Sequence, residues 1–272
     1  MVSGGRTHYE RPPVRRAIFT VYVKPLPYDI GLINKLCEVW STDYPGVRQT
    51  PPVPRSRSTY SPLPQTDPFD APWPMPRVEL VNSSLSRTIA FQFDHVSLTW
   101  RFDADTPNDQ YPSYEVLAEE LITKFGDFVR IVDDVSDATV EVQGCQCYYS
   151  NSLEDIGAER WLVGYLTGDW SDIEAHEKQL HDAAYIGFQL HWNEEEEGGL
   201  KRNVGVHIDE GLEQRPELDI HSVAAHADPS SIKSDDPCTT ARSLLDSAHE
   251  LENSTFEDCF SEDMKTRWKA QP

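Results

Sequence analysis

The chain has 272 residues, with 24 Lys and Arg set against 46 Asp and Glu, for a formal net charge of −22. That length can bury a sizeable core, and so negative a field excludes a general basic surface for phosphate backbones, so direct nucleic-acid binding is not expected. No apolar run reaches the ~18 residues of a membrane span, and the N-terminus lacks an apolar leader segment, so a cytoplasmic protein without a membrane partner is the expectation.

The cysteines fit a reducing compartment. Cys37, Cys145, Cys147, Cys238 and Cys259 are odd in number and scattered, a poor disulfide framework. The Cys145-Gln146-Cys147 pair puts two thiols on one strand face but falls short of a four-ligand zinc site, so both read as small apolar fillers. The charge is uneven: residues 151–272 carry 27 acidic against 10 basic residues, whereas residues 1–150 carry 19 against 14.

Residues 1–16 read as a flexible basic arm. Ala17–Val23 is β-branched and aromatic and predicts a strand. Asp29 is placed to cap a helix whose Ile30, Ile33, Leu36, Cys37 and Trp40 recur at helical spacing and which ends before Pro45. From Pro45 to Pro76, ten residues are proline, which favours extended chain. This segment is either a recognition motif of the SH3-ligand kind, around PPVP and PRSR, or a connector pinned by Tyr60, Phe69 and Trp73.

Arg77–Val81 predicts a short strand. The period-two pattern of Ile89, Phe91 and Phe93, then of Val96, Leu98, Trp100 and Phe102, predicts a hairpin turning at Asp94-His95. An acidic loop, Asp103–Asp109, leads to Pro112-Ser113 and a helix with the stripe Tyr114, Leu117, Leu121, Phe125 and Phe128, with Gly126 near its end. Further on, Ala138–Tyr149 predicts a strand with a bulge at Gly144. Helices are expected over 156–166 and 172–184, strands over 185–192, 200–208 and 217–225, and a charged hairpin turn over 194–199. The last helix starts at Thr239, reaches Phe260, and is followed by a turn that seats Met264 and Trp268.

Each half thus reads strand, helix, about three antiparallel strands, long helix. The expected fold is α+β: duplicated β-α-β(3–4)-α units whose antiparallel curved sheets pack on long helices, a topology similar to TATA-binding-protein-like or helix-grip folds. The expected division is an arm at 1–16, a first half at 17–133 that includes the Pro-rich 45–76, and an acidic second half at 134–272.

Four stretches carry a family resemblance: Pro25–Ile30, Phe93–Phe102 with Tyr111–Leu117, Tyr148–Asn151, and Leu244–Trp268. Together they resemble an uncharacterised, sporadically distributed prokaryotic family of about 260 residues, within the ordinary domain range. Where that family carries Asn-Trp, this chain has Thr99-Trp100. No activity is established for the family, and its occurrence resembles that of genes in mobile or defence-type loci. The resemblance therefore implies an immunity- or antitoxin-like accessory role.

Motifs for chemistry are sparse. The chain has no Gly-rich phosphate loop, HExxH, GxSxG or calcium loop. Among the second-half histidines, His207 and His221 are the candidate metal ligands, with His191 on the preceding strand. His221 and His226 have opposite strand parity, so one face cannot present both, and neither a metal nor a cofactor is assigned. No catalytic residue is assigned either. Candidate partner- or ligand-binding residues are Trp100, Tyr111, Tyr114, Glu194, Glu195, Glu196, Glu197, His249 and Trp268. The leading expectation is a non-enzymatic protein that turns its acidic surface to a basic protein partner. The alternatives are a small-ligand binder with a helix-over-sheet cavity, or a metal-dependent hydrolase using the second-half histidines. Homodimerisation through a sheet edge is a further expectation.

Overall fold

The computed structural model describes residues 12–55, 60–67, 74–102, 111–153, 158–168, 186–196, 198–209, 217–227 and 236–269. The expected helix over 172–184, the Asp103–Asp109 loop, Phe69, Trp73 and Glu197 lie outside the described residues, as do residues 1–11 of the arm.

The chain runs β1 (Val14–Val23), α1 (Ile30–Trp40), β2 (Gly46–Thr50), β3 (Arg77–Val81), β4 (Arg87–Gln92), β5 (His95–Arg101), α2 (Tyr114–Val135) and β6 (Val142–Ser152). It continues with α3 (Ala158–Thr167), β7 (Gly187–Glu195), β8 (Leu200–Asp209), β9 (Glu217–His226), α4 (Pro237–Cys259) and α5 (Glu262–Lys269). The fold is α+β. Among the described residues the strands form one open antiparallel sheet of nine, in the order β2-β3-β4-β5-β1-β6-β9-β8-β7. Separate sheets were expected for the two halves; instead β1 pairs with β5 on one side and β6 on the other, which makes the ladder continuous.

Local chemistry sets most boundaries. The Asp29 side chain accepts from the Leu32 amide at 2.9 Å and starts α1. Asp236 caps α4 in the same way, with Pro237 in its first turn. Helix α2 passes Gly126 and ends only before Ser136, because Ile131 and Val132 continue its buried stripe. The hairpin turns at Phe93-Asp94, one residue before the expected place, since Gln92 and His95 are both buried and pair across it. The bulge falls at Gln143, beside Gly144, where the register against β1 skips a residue.

Helices α1, α2 and α4 cover one face of the sheet. Phe19, Val21, Ile89, Phe91, Leu98 and Trp100 meet Leu36, Trp40, Leu121 and Phe125 there. The Cys145 and Cys147 thiols lie buried under α4 and donate to the carbonyls of Ala241 and Leu245, as small fillers do. A second core joins α3, the end of α4 and α5 to β8 and β9 through Trp161, Phe256, Phe260, Met264, Val206 and Ile220.

The opposite face is crossed at one end by the Pro-rich segment. Its first part is strand β2, which the sequence pattern hides because every residue is exposed or half-exposed and none marks an apolar face. Arg55 then enters the protein fully. Its Nε donates to Asp94 Oδ2 at 2.9 Å, and its Nη1 donates to Gln143 Oε1 at 2.6 Å and to the Pro64 carbonyl at 3.2 Å. Its Nη2 reaches the Val23 carbonyl. Asp94 also accepts from Thr66 and Gln92, at 2.7 and 2.8 Å. Burial pushes the Asp94 carboxyl up, but His95 and the Thr66 and Gln92 donors outweigh it and hold it well below the usual range. Leu63 packs against Tyr22, Val223 and Ala225. A Cβ at Gly144 would stand 2.5 Å from Leu63 Cδ2, so this strap needs glycine there.

Candidate metal centre

Three adjacent strands, β7, β8 and β9, bring His191, His207 and His221 together on the strap side of the sheet. One line of the register runs from Thr99 and Ile18 through Tyr148 to His221, Gly205 and His191, so all of them share a face. His207 lies two residues beyond Gly205 on β8, on the same face. Parity separates His221 from His226 within β9, and the register across β7, β8 and β9 brings His191, His207 and His221 together.

Gly205 makes the convergence possible. A Cβ there would stand 2.3 Å from His221 Cε1 and 2.7 Å from His191 Cε1, so the two rings occupy the space a side chain would fill. One ligand nitrogen from each imidazole lies within 4.8 Å of the others. Nε2 of His191 and Nε2 of His207 are 3.4 Å apart. Tetrahedral zinc, with bonds of ~2.0–2.1 Å to imidazole, spaces its nitrogens by roughly 3.4 Å.

The protonation chemistry agrees with that spacing. Burial, with His207 and His191 adding to it, pushes the His221 imidazole down to about 3. Burial lowers His207 and His191 as well. Neutral imidazoles carry the lone pairs that metals use. The Gln189 side-chain nitrogen marks where those lone pairs converge, 2.6 Å from His191 Nε2 and 2.9 Å from His207 Nε2. A carboxamide donating to both rings sits where a cation is attracted, and turned over it presents an oxygen ligand instead. Asp219 lies directly across β8–β9 from His207, and its Oδ1 is buried without a protein hydrogen-bond partner. Tyr60, from the strap, stacks on His191 with ring centroids 4.9 Å apart.

The other candidate residues fall elsewhere. Trp100, Tyr111, Tyr114 and His249 do meet, but under the helices. Tyr114 stacks on His249 at 3.7 Å, Trp100 meets Tyr111 edge-on at 5.3 Å, and Tyr111 and Tyr149 share a hydrogen bond of 3.0 Å. Glu252 is buried beside His249, and burial raises its carboxyl well above the ordinary range. This is packed interior, and Trp100 is fully buried. Trp268 packs on Phe256 and Phe260. Glu194 and Glu195 belong to β7, and Arg202 pairs with both Glu194 and Glu196, at 2.7 and 2.6 Å. The acidic tip is therefore partly neutralised from within the hairpin, which turns on Gly198 and Gly199, both at positive φ.

Sequence reasoning missed Gly205. Its signal was the pattern Gly205-Val206-His207: a glycine inside a strand, two residues from a histidine, marks close approach to a backbone. No protein-family model matches the chain, and no curated protein matches it.

Proposed function

We propose that the protein binds a divalent transition-metal ion, zinc by the chemistry of its donors, through His191, His207 and His221, and uses it in metal-dependent hydrolysis. The observation that carries this reading is the meeting of three imidazoles from three adjacent strands over the vacant side of Gly205. Structural zinc sites are usually closed by four protein ligands, whereas three histidines leave a position for substrate. A bound ion there supplies Lewis acidity toward a carbonyl or phosphoryl oxygen. Tyr60 and Asp219 flank the cluster: Tyr60 stacks on the His191 ring, and Asp219 lies opposite His207 across the β8–β9 ladder with its Oδ1 unpartnered.

The test is a zinc titration of chelator-dialysed protein against a chromophoric competitor. One zinc per chain is expected, and His207→Ala and His221→Ala should each abolish competitive uptake. Wild-type uptake in both variants, or none in the wild type, would sink the proposal.

An acidic surface that receives a basic protein partner is a second reading, favoured by Trp192, which is 40% exposed beside Glu194 on β7. Its test is co-purification of a basic partner that weakens with salt. Internal duplication is supported by the strand order. β1 neighbours the end of the meander β2–β5, and β6 neighbours the end of β7–β9, with β1 and β6 paired at the centre. The kinship with the prokaryotic family rests on the four stretches named above.

A further inference from the structure

We propose that a second site, an arginine-lined groove on the same face of the sheet, binds a small multi-anionic ligand, a phosphate ester of nucleotide size. The groove encloses about 550 Å³ over β1 to β5, a volume suited to such a ligand. Arg16, Arg48, Arg77 and Arg101 line it, with Glu79 as its carboxylate. In a chain of net charge −22, four guanidinium groups around one concavity run against the composition.

The arrangement leaves cationic donors in excess. Arg48 and Arg77 both pair with the same Glu79. Arg16 and Arg101 are direct cross-strand partners on β1 and β5, and like charges placed so destabilise a ladder unless an anion joins them. Among the described residues no ion pair joins Arg101 to a carboxylate. Arg16 donates through Nη2 to Tyr148 at 2.8 Å, and Asp219 and Glu217 attract it from the other side. Its Nε is nevertheless buried without a protein partner, as is Nε of Arg77. Planar guanidinium forks match phosphate oxygens in pairs. Val47 and Leu85 stand exposed at the rim, as apolar contacts for the organic part of the ligand.

The groove uses none of the histidines, although Asp219 attracts Arg16 and lies opposite His207. The experiment is calorimetric titration of metal-free protein at low salt with inorganic pyrophosphate, ADP, adenosine and a single-stranded oligonucleotide. Pyrophosphate and ADP should bind and adenosine should not. Arg48→Gln and Arg101→Gln, both at exposed positions, should each weaken ADP about tenfold or more, the scale of a charged hydrogen bond, while His191→Ala should leave ADP binding unchanged. No heat from ADP or pyrophosphate at millimolar concentration would overturn the proposal. So would ADP binding indifferent to both arginine variants, or binding confined to the oligonucleotide.

Discussion

Two polar clusters lie on the strap side of the sheet, and they are built on opposite principles. Around Arg55, every charged group is matched: Asp94, Gln92, Thr66, Gln143 and the Val23 carbonyl close the network. Around Gly205, three imidazoles converge with neutral nitrogens and one carboxamide between them. Each cluster depends on a strand glycine, Gly144 for the Leu63 side chain and Gly205 for the rings of His191 and His221. A buried polar network that is satisfied fixes the chain in place. One whose lone pairs point at a common centre is prepared for something else.

The sharpest way to break this comparison is to remove Arg55. Arg55→Ala leaves Asp94 buried without its cation, and a loss of about 3–5 kcal/mol is expected in urea unfolding. His207→Ala, at a half-buried position, should cost far less stability while removing zinc binding. Equal losses from the two changes would erase the distinction.

The two glycines sharpen it further. Gly144→Ala brings a Cβ against Leu63 and within 2.8 Å of the Ala224 carbonyl, which is backbone and cannot swing away, so about 1–3 kcal/mol should be lost. The atoms nearest a Cβ at Gly205 belong to the imidazole ends of His221 and His191, side chains rather than backbone. Gly205→Ala should fold nearly as well as wild type but bind zinc about 10–100-fold more weakly, the scale of a misoriented ligand shell.

Acid titration separates the clusters by pH window. His221 is held from its ordinary 6.5 down to about 3 in the folded protein. Between those values the unfolded chain binds the extra proton, so stability rises with pH there. The contribution is complete above about 6.5 and lost as pH falls toward about 3. Asp94, also depressed, loses its contribution at lower pH, below the ordinary carboxylate range. Unfolding curves of metal-free protein across this span should therefore become shallower between about pH 6.5 and 4 in His221→Gln, with His191 and His207, lowered as well, keeping part of the slope and the more acidic limb unchanged. The smallest effect is expected from Tyr60→Leu. Loss of its stack on His191 should cost about 0.5–1.5 kcal/mol and change zinc affinity by less than tenfold, measured in the same titration.

Much of the fold was legible because its signals are local. The alternation of Ile89, Phe91, Val96, Leu98 and Trp100 marks buried strands, and the cap Asp29 sits where α1 needs its hydrogen bond; the cap Asp236, which starts α4 at Pro237 rather than at the expected Thr239, went unread. Strand β2 was not legible. Its Val47, Arg48 and Gln49 are exposed, and it exists through pairing with β3, some thirty residues on. The union of the two halves in one sheet depends on β1 meeting β6, a contact more than a hundred residues apart that no window of sequence contains. Arg55 reads as one more basic residue among prolines until Asp94 is placed against it.

The candidate metal centre was half legible. The sequence offered His207 and His221 as candidate ligands with His191 on the preceding strand, but the opposite parity of His221 and His226 spoke against a shared face, and convergence is a matter of register across β7, β8 and β9. That register is fixed partly by the Gly198-Gly199 turn and partly by pairing with β6. Gly205 was visible as a residue but acquires meaning only once His191 and His221 are known to flank it.

The most direct test of the account is X-ray absorption spectroscopy on protein loaded with one equivalent of zinc. The proposed site should give a first shell with three imidazole nitrogens at about 2.0–2.1 Å and one further oxygen or nitrogen scatterer. A shell dominated by carboxylate oxygens or by sulfur, or one unchanged in His207→Ala, would contradict it.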